Sequence, residues 1–331
     1  MRFPEFSGEW VETELQDIVP NICSGKDRIS NSGEVALYGS TGVIGRTNSA
    51  SYKENIVLVA RVGANAGQMQ IGNAPCGVTD NTLVIDAKEW NYYIYYFLQH
   101  YNLNRLVFGS GQPLITGGML KRIKVRYGCK AERNNITRLL CLIDERIATQ
   151  NKIIEKLESL IKGIADKLFQ TARETKLLLE LAPNITSGTD KNGSGTIPLY
   201  GSTGIIGKVK NASQKGNIVL VARVGTIGTV QYVKESCGVS DNALIVEAGE
   251  MTKYIYHFLK TYKFAHITSG TTQPLITASS LKKIAVPTYD IERQTQIVLC
   301  LNILERKLDI EKQYLSDIAM KKQYLLHQMF I

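Results

Sequence analysis

Two rhythms of apolar and polar residues alternate along this chain, and each occurs twice. The first is a series of short β-type runs. Asn55–Arg61 and Asn217–Arg223 are rich in Val and Ile and run into Gly63 and Gly225, as a buried strand entering a tight turn does. Gln68–Ile71 and Thr229–Val233 read as the returning strand of a hairpin, and Thr82–Ile85 and Ala243–Val246 as a further strand. Trp90–Tyr101 and Thr252–Tyr262 then carry aromatics at helical spacing. The tyrosines Tyr92, Tyr93, Tyr95 and Tyr96 suit either base stacking or helix packing, and their spacing favours packing.

The second rhythm begins after Ala131. Apolar residues fall at alternating steps of four and three at Ile136, Leu140, Ile143 and Ile147, then at Ile154, Leu157, Ile161, Ile164 and Leu168, with Gln150 as the break. Ile297, Leu301, Leu304, Leu308, Leu315, Ile318, Leu325 and Met329 repeat the pattern, interrupted by Glu311 and Lys322. Such a heptad seam predicts two helices of roughly 35 residues, about 50 Å each at 1.5 Å per residue. A one-sided stripe of that length is expected to pair with its twin. Since both helices follow their domains at the same position, the expected pairing is antiparallel.

The rhythms repeat because the sequence repeats. Asn55–Gly63 (NIVLVARVG) returns unchanged at Asn217–Gly225, and Tyr38–Gly45 (YGSTGVIG) at Tyr200–Gly207 with Val43 replaced by Ile205. Cys76–Asn81 (CGVTDN) becomes Cys237–Asn242 (CGVSDN), and Gln112–Thr116 (QPLIT) returns at Gln273–Thr277. A period this long marks a duplicated domain rather than a solenoid. Two related surfaces in one polypeptide suit two similar objects, such as two half-sites on DNA.

With 331 residues, each half is long enough to bury its own core. A net charge of +9 favours polyanion partners, because neutralising phosphates releases counterions. None of the six cysteines forms a C-x-x-C pair, and Cys76 and Cys237 hold the same place in the two copies, as reduced core positions would. No apolar run approaches a membrane span and the N-terminus lacks a signal core, so a cytoplasmic location is expected.

Catalytic patterns are scarce, and no catalytic or metal-ligating residue is assigned. Gly204–Lys208 lacks the spacing of a phosphate loop. His100, His257, His266 and His327 form no H-x-x-x-H pair, and Thr261, Tyr96 and Arg105 stand at the counterparts of the first three. The eight prolines include no adjacent pair, which excludes the Asn/Asp-Pro-Pro-aromatic loop of adenine methyltransferases. Asp86-Ala87-Lys88 matches half of a Mg²⁺-nuclease motif by spacing, but its counterpart Glu247-Ala248-Gly249 has no lysine.

Taken in order, the R-V-G-x-x-G turn (Arg223–Gly228, one residue longer in Arg61–Gly67), the S-G-x-x-Q-P-L-I-T run (Ser269–Thr277), a short strand (Ile123–Arg126, Ile284–Pro287) and the Glu132-Arg133 or Glu292-Arg293-Gln294 helix start resemble the specificity subunit of type I restriction–modification systems. The Ser110-Gly111-Gln112 spacing and Asn134 depart from that pattern. The resemblance implies an α+β fold with a pseudo-two-fold internal repeat: two β-rich target recognition domains separated by two long antiparallel coiled-coil helices. The ranges expected are 1–130 and 173–289 for the recognition domains, 131–172 and 290–331 for the helices. It further implies a non-catalytic subunit that reads a split double-stranded DNA target. Two modification subunits per chain would carry adenine methylation with S-adenosylmethionine, and restriction or translocase subunits would join them. The subunit itself would need no cofactor and no membrane. A type IIB-like specificity subunit, a protein–protein scaffold and an enzyme with a duplicated, unfamiliar site are the alternatives.

Comparing the two copies nominates the reading residues. Stretches kept in both suit scaffold or phosphate contacts, whereas stretches that differ suit base reading. The loops that differ most are Arg46–Glu54 against Lys208–Gly216, Ala64–Pro75 against Thr226–Ser236, and Asn102–Gly111 against Lys263–Thr272. Arg46, Asn48, Lys53, Lys208, Lys210, Asn211 and Lys215 are the first DNA-binding candidates, with Arg105 and His266 after them. Arg61 and Arg223, kept in both copies, suit a phosphate contact or a buried ion pair. The QPLIT segments are expected near the helix base or the modification partner.

Overall fold

The computed structural model describes residues 2–108, 113–269 and 274–330. Gln112, Gln273 and the Ser110-Gly111 step of the motifs above lie outside them. The first copy runs β1 (Val11–Glu14), α1 (Leu15–Ile18), β2 (Ile22–Ser24), β3 (Val35–Gly39), β4 (Gly42–Thr47), β5 (Ile56–Ala60), β6 (Met69–Gly72), β7 (Cys76–Val78), β8 (Thr82–Ile85), α2 (Asn91–Tyr101), α3 (Gly117–Lys121), β9 (Lys124–Tyr127) and α4 (Lys130–Gln170). The second repeats the order: β10 (Glu174–Leu177), α5 (Leu178–Leu181), β11 (Ile185–Ser187), β12 (Ile197–Tyr200), β13 (Ile205–Val209), β14 (Ile218–Ala222), β15 (Val230–Val233), β16 (Gly238–Val239), β17 (Ala243–Val246), α6 (Thr252–Thr261), α7 (Ala278–Lys282), β18 (Ala285–Thr288) and α8 (Ile291–Met329). The predicted strands are found within a residue or two of their expected ends, α4 and α8 run to 41 and 39 residues, longer than the heptad seam predicts, and the fold is α+β with an internal repeat.

Each copy contains a four-stranded sheet, in the orders β2-β8-β5-β6 and β11-β17-β14-β15, and a three-stranded sheet, in the orders β4-β3-β7 and β13-β12-β16. All five residues of β5 and of β14 are buried. This is why those runs read as continuously apolar rather than alternating. Cys76 and Cys237 are wholly buried beside them, and burial pushes both thiols up to about 11. Tyr93, Tyr96 and Tyr254 are also buried: Tyr93 donates to Arg126 O at 2.7 Å and Tyr254 to Pro287 O at 2.8 Å. The tyrosine stripe is therefore helix packing.

The chain divides into two compact units. One comprises the residues up to Asn151 with those from Gln313 onward; the other is Lys152–Lys312. In the first unit, the start of α4 runs antiparallel to the end of α8. Lys322 pairs with Asp144 at 2.6 Å, and Arg146 reaches Tyr314 at 3.3 Å. In the second unit, Lys312 pairs with Glu158 at 2.7 Å.

The helix ends do something the heptad reading did not anticipate. Phe330, Leu326 and Met329 of the α8 end enter the core of the first unit, where Phe330 meets Tyr93 and Phe97 edge to face at ring separations of 5.4 and 5.8 Å. Phe169 and Ala165 of the α4 end enter the core of the second, where Phe169 meets Tyr254 and Phe258 at 5.5 Å. Each β-rich domain thus borrows the end of the helix that follows the other domain.

Candidate nucleic-acid interface

Loops at the two ends of β5, and of β14, form two separate groups of candidate residues. A strand of five residues spans roughly 17 Å, so one side chain does not serve both groups. The first group follows β4 and β13. Both are edge strands of their three-stranded sheets, and each leads into a loop that departs from the sheet. Arg46 is exposed and donates Nη1 to Glu34 O at 2.6 Å, which carries the guanidinium across to the start of β3. Asn48 donates to Ser30 Oγ at 3.0 Å. Lys53 is exposed, as are Lys208, Lys210, Asn211 and Lys215 in the second copy.

Nothing neutralises these lysines: among the described residues none of Lys53, Lys208, Lys210 and Lys215 makes an ion pair. Lys88, Lys130, Lys260 and Lys312 elsewhere are all paired. Solvated, uncompensated cations on a loop held by a rigid sheet are what a phosphate backbone needs.

A carboxylate that the sequence comparison did not single out holds this loop in both copies. Asp27 accepts from Val78 N at 2.8 Å and from Ser51 Oγ at 2.7 Å. Asp190 accepts from Val239 N at 2.8 Å and from Ser213 Oγ. Each carboxylate ties the basic loop to the next parallel strand. The signal was present as Ser-Gly-x-Asp in both turn-rich segments, Ser24–Asp27 and Ser187–Asp190.

The second group gathers the repeated motifs at the other end of β5 and β14. Arg61 N donates to Asn81 O at 2.9 Å, Ile115 N to Arg61 O at 2.9 Å, and Gly63 N to Pro113 O at 3.0 Å. Ser40 Oγ reaches the same Asn81 carbonyl at 3.2 Å. The second copy repeats the arrangement, with Arg223 N on Asn242 O and Ile276 N on Arg223 O, both at 3.0 Å. The YGSTG, RVG and Asp-Asn motifs and the described Pro-Leu-Ile-Thr part of QPLIT therefore converge on one end of each domain. QPLIT also starts the next helix, since Thr116 and Thr277 accept from Met119 N and Ser280 N as N-caps.

Arg223, Val224, Asp241, Asn242 and Leu275 line a cavity of about 290 Å³ at this end, and among the described residues the Arg223 Nε there has no hydrogen-bond partner. Arg105 and His266 are exposed on the turns after α2 and α6, beside this second group, and Arg105 lies 4.9 Å over the Tyr101 ring. The structure thus places Arg46, Asn48 and Lys53 on the stretch that leads into β5 and Arg61 at the opposite end of that strand. The second copy divides in the same way.

Other candidates resolve as structural. Asp86 is paired with Lys88 at 2.8 Å. His257 is buried and hydrogen-bonded to Asn302 at 3.0 Å. Among the described residues no group of three or more His, Cys, Asp or Glu is placed to hold a metal ion, and no helix is long and apolar enough to cross a membrane.

Comparison with known proteins places this arrangement. The family described as the type I restriction modification DNA specificity domain matches residues 7–159 and again 178–320. A putative type I restriction enzyme specificity subunit of Haemophilus influenzae is 26% identical over 117 residues, covering 34% of this chain and 30% of the relative. The EcoprrI specificity subunit of Escherichia coli is 29% identical over 128 residues, 38% of this chain and 31% of its own. These matches span about a third of each relative's length. The S subunit of a type I restriction–modification system from M. genitalium shares the fold over 100% of this chain and 99% of its own, at 18% identity and a TM-score of 0.71. A chain from a type I restriction–modification assembly shares it over 98% of both chains, at 13% identity and a TM-score of 0.57. With its two matched segments in the same places as its two structural copies, the chain belongs to the type I restriction modification DNA specificity domain family.

Proposed function

We propose that this chain is the non-catalytic DNA-recognition subunit of a type I restriction–modification complex. Its recognition domains, 1–130 and 173–289, read the two halves of a split target. The helices, 131–172 and 290–331, set the unread spacer between them. The observation that carries this reading is the pair of uncompensated basic loops, Arg46–Glu54 and Lys208–Gly216, held by the same aspartate clamp in both copies. The shared framework suits a common DNA backbone, and the differing loops suit two different half-sites.

Adenine methylation falls to the partner modification subunits, two per chain, which bind S-adenosylmethionine; a restriction subunit joins the same complex in the cytoplasm. The outward faces of the long helices supply a surface for the modification subunits. Leu142, Ile303 and Ile310 are each more than half exposed there, and Leu142 and Ile303 hold equivalent positions in the two copies. Methylome sequencing of the source cell with and without the gene tests the proposal. A split adenine-methylated motif should disappear on deletion; a methylome unchanged by deletion removes the proposal. A scaffold without DNA binding would give no salt-dependent shift of duplex DNA, with or without the modification subunits.

A further inference from the structure

The apex of the edge hairpin carries an exposed apolar pair in both copies. On β4, Val43 and Ile44 are 58% and 46% exposed; on β13, Ile205 and Ile206 are 63% and 48% exposed. Branched aliphatic residues side by side on a free sheet edge are an aggregation liability that proteins ordinarily remove. Here both copies keep the pair, although the loop that follows differs at most positions.

One member of each pair also packs on the opposing strand. A Cβ on Gly39 would come within 2.9 Å of Ile44 Cγ2, and one on Gly201 within 2.9 Å of Ile206 Cδ1. Each isoleucine side chain therefore packs against the opposing glycine, and a Cβ there would push the isoleucine aside in both copies. The apex glycines Gly42 and Gly204 have φ of +121° and +131°, which favours glycine and tightens the turn. Gln70 and Gln231 brace the apex from the neighbouring sheet by donating to Gly39 O at 2.7 Å and Gly201 O at 2.9 Å.

The surroundings specify the chemistry of the occupant. Beyond the apolar pair, the same strands carry the exposed cations Arg46 and Lys208. The apex abuts the second loop group, through Ser40 on Asn81 O in one copy and Thr226 on Ser202 O in the other. An apolar tip beside hydroxyl groups, with an exposed cation two residues along the same strand, is complementary to a polyanion whose interior is apolar. Resting on the DNA-recognition function proposed above, we infer that Val43–Ile44 and Ile205–Ile206 are apolar wedges that press between base steps of the bound duplex. Branched and other apolar side chains used in this way unstack a step and kink the helix by about 20–90°. Both copies keep the pair because a wedge reads deformability rather than base identity. The adjoining loops remain free to differ.

The test compares the full chain with a variant carrying Val43→Thr, Ile44→Thr, Ile205→Thr and Ile206→Thr. Threonine keeps the branched shape a strand favours, and the positions are exposed, so the melting temperature serves as the folding control. The probe is a random-sequence duplex with a fluorophore at each end, titrated at several salt concentrations with the co-purified modification subunits present. Affinity should fall at least about tenfold at every salt concentration, since apolar burial is lost. The salt slope should stay unchanged, since no phosphate contact is lost. The increase in end-to-end energy transfer that reports bending should disappear. Unchanged affinity and bending would overturn the wedge and leave DNA recognition standing. Loss of modification-subunit binding with intact DNA bending would make the pair a protein contact and overturn it as well. A parent complex that binds no duplex at any salt concentration would overturn the function on which the inference rests.

Discussion

At the scale of single residues, two half-hidden polar groups do the positioning. Asp27 and Asp190 each bridge a backbone N–H and a serine hydroxyl, and so join the basic loop to the sheet. Asp190→Ala strands a backbone donor and frees the loop; a loss of about 1–3 kcal/mol is expected in urea denaturation. A second prediction concerns His257. Burial holds its imidazole below the ordinary value, against the opposing pull of Glu305 at 3.8 Å. The folded state takes up that proton less readily than the unfolded chain, which does so below about pH 6.5. The stabilisation is therefore fully present above that pH and is lost as pH falls through it. Denaturant midpoints measured between neutral pH and about pH 5 should drop less in His257→Gln than in the parent. Equal drops would show that other groups set the dependence. Residue identity alone exposed neither feature. Asp27 is one polar residue among many in a turn-rich stretch, and for His257 the sequence offers only the absence of an H-x-x-x-H pair and the Tyr96 at its counterpart.

At the scale of elements, most of the fold was readable, because helix and strand rhythms are local. The heptad steps located α4 and α8, and the unbroken apolar runs located β5 and β14. The helix ends were not readable. Phe169 and Phe330 lie off the seam, so the pattern that found the helices gave no reason to notice them. Their partners are aromatic residues of α2 and α6, far away in sequence. Truncating a buried phenylalanine costs about 3–5 kcal/mol. Phe330→Ala should therefore destabilise the first unit and raise amide exchange in α2. Phe169→Ala should do the same to the second unit and α6. Equal protection of both helices in both variants would disprove the borrowed-core arrangement.

At the scale of the whole molecule, the duplication makes two experiments informative. Replacing Lys208 and Lys210 together with alanine should weaken DNA binding and flatten its salt slope by about two units, near 0.9 per lost phosphate contact. An unchanged slope removes both lysines from the interface. Inserting one heptad into each of α4 and α8 lengthens each helix by about 10 Å. At 3.4 Å per base pair the unread spacer should grow by about three base pairs, with both half-sites kept. Altered half-sites with an unchanged spacer would show that the helices are not the ruler.

The amino-acid sequence by itself determined that there are two copies, which segments are strands and which helices, and that the chain resembles specificity subunits. Repeat, periodicity and motif order survive in one dimension, because each depends on neighbours along the chain. Only the tertiary structure decided that four separate motifs meet at one end of each domain, and that the basic loops lie at the other. It also decided that each core is closed by the far end of the other copy's helix. Those outcomes depend on which apolar surfaces cover one another, and packing settles that between residues with no relation in sequence.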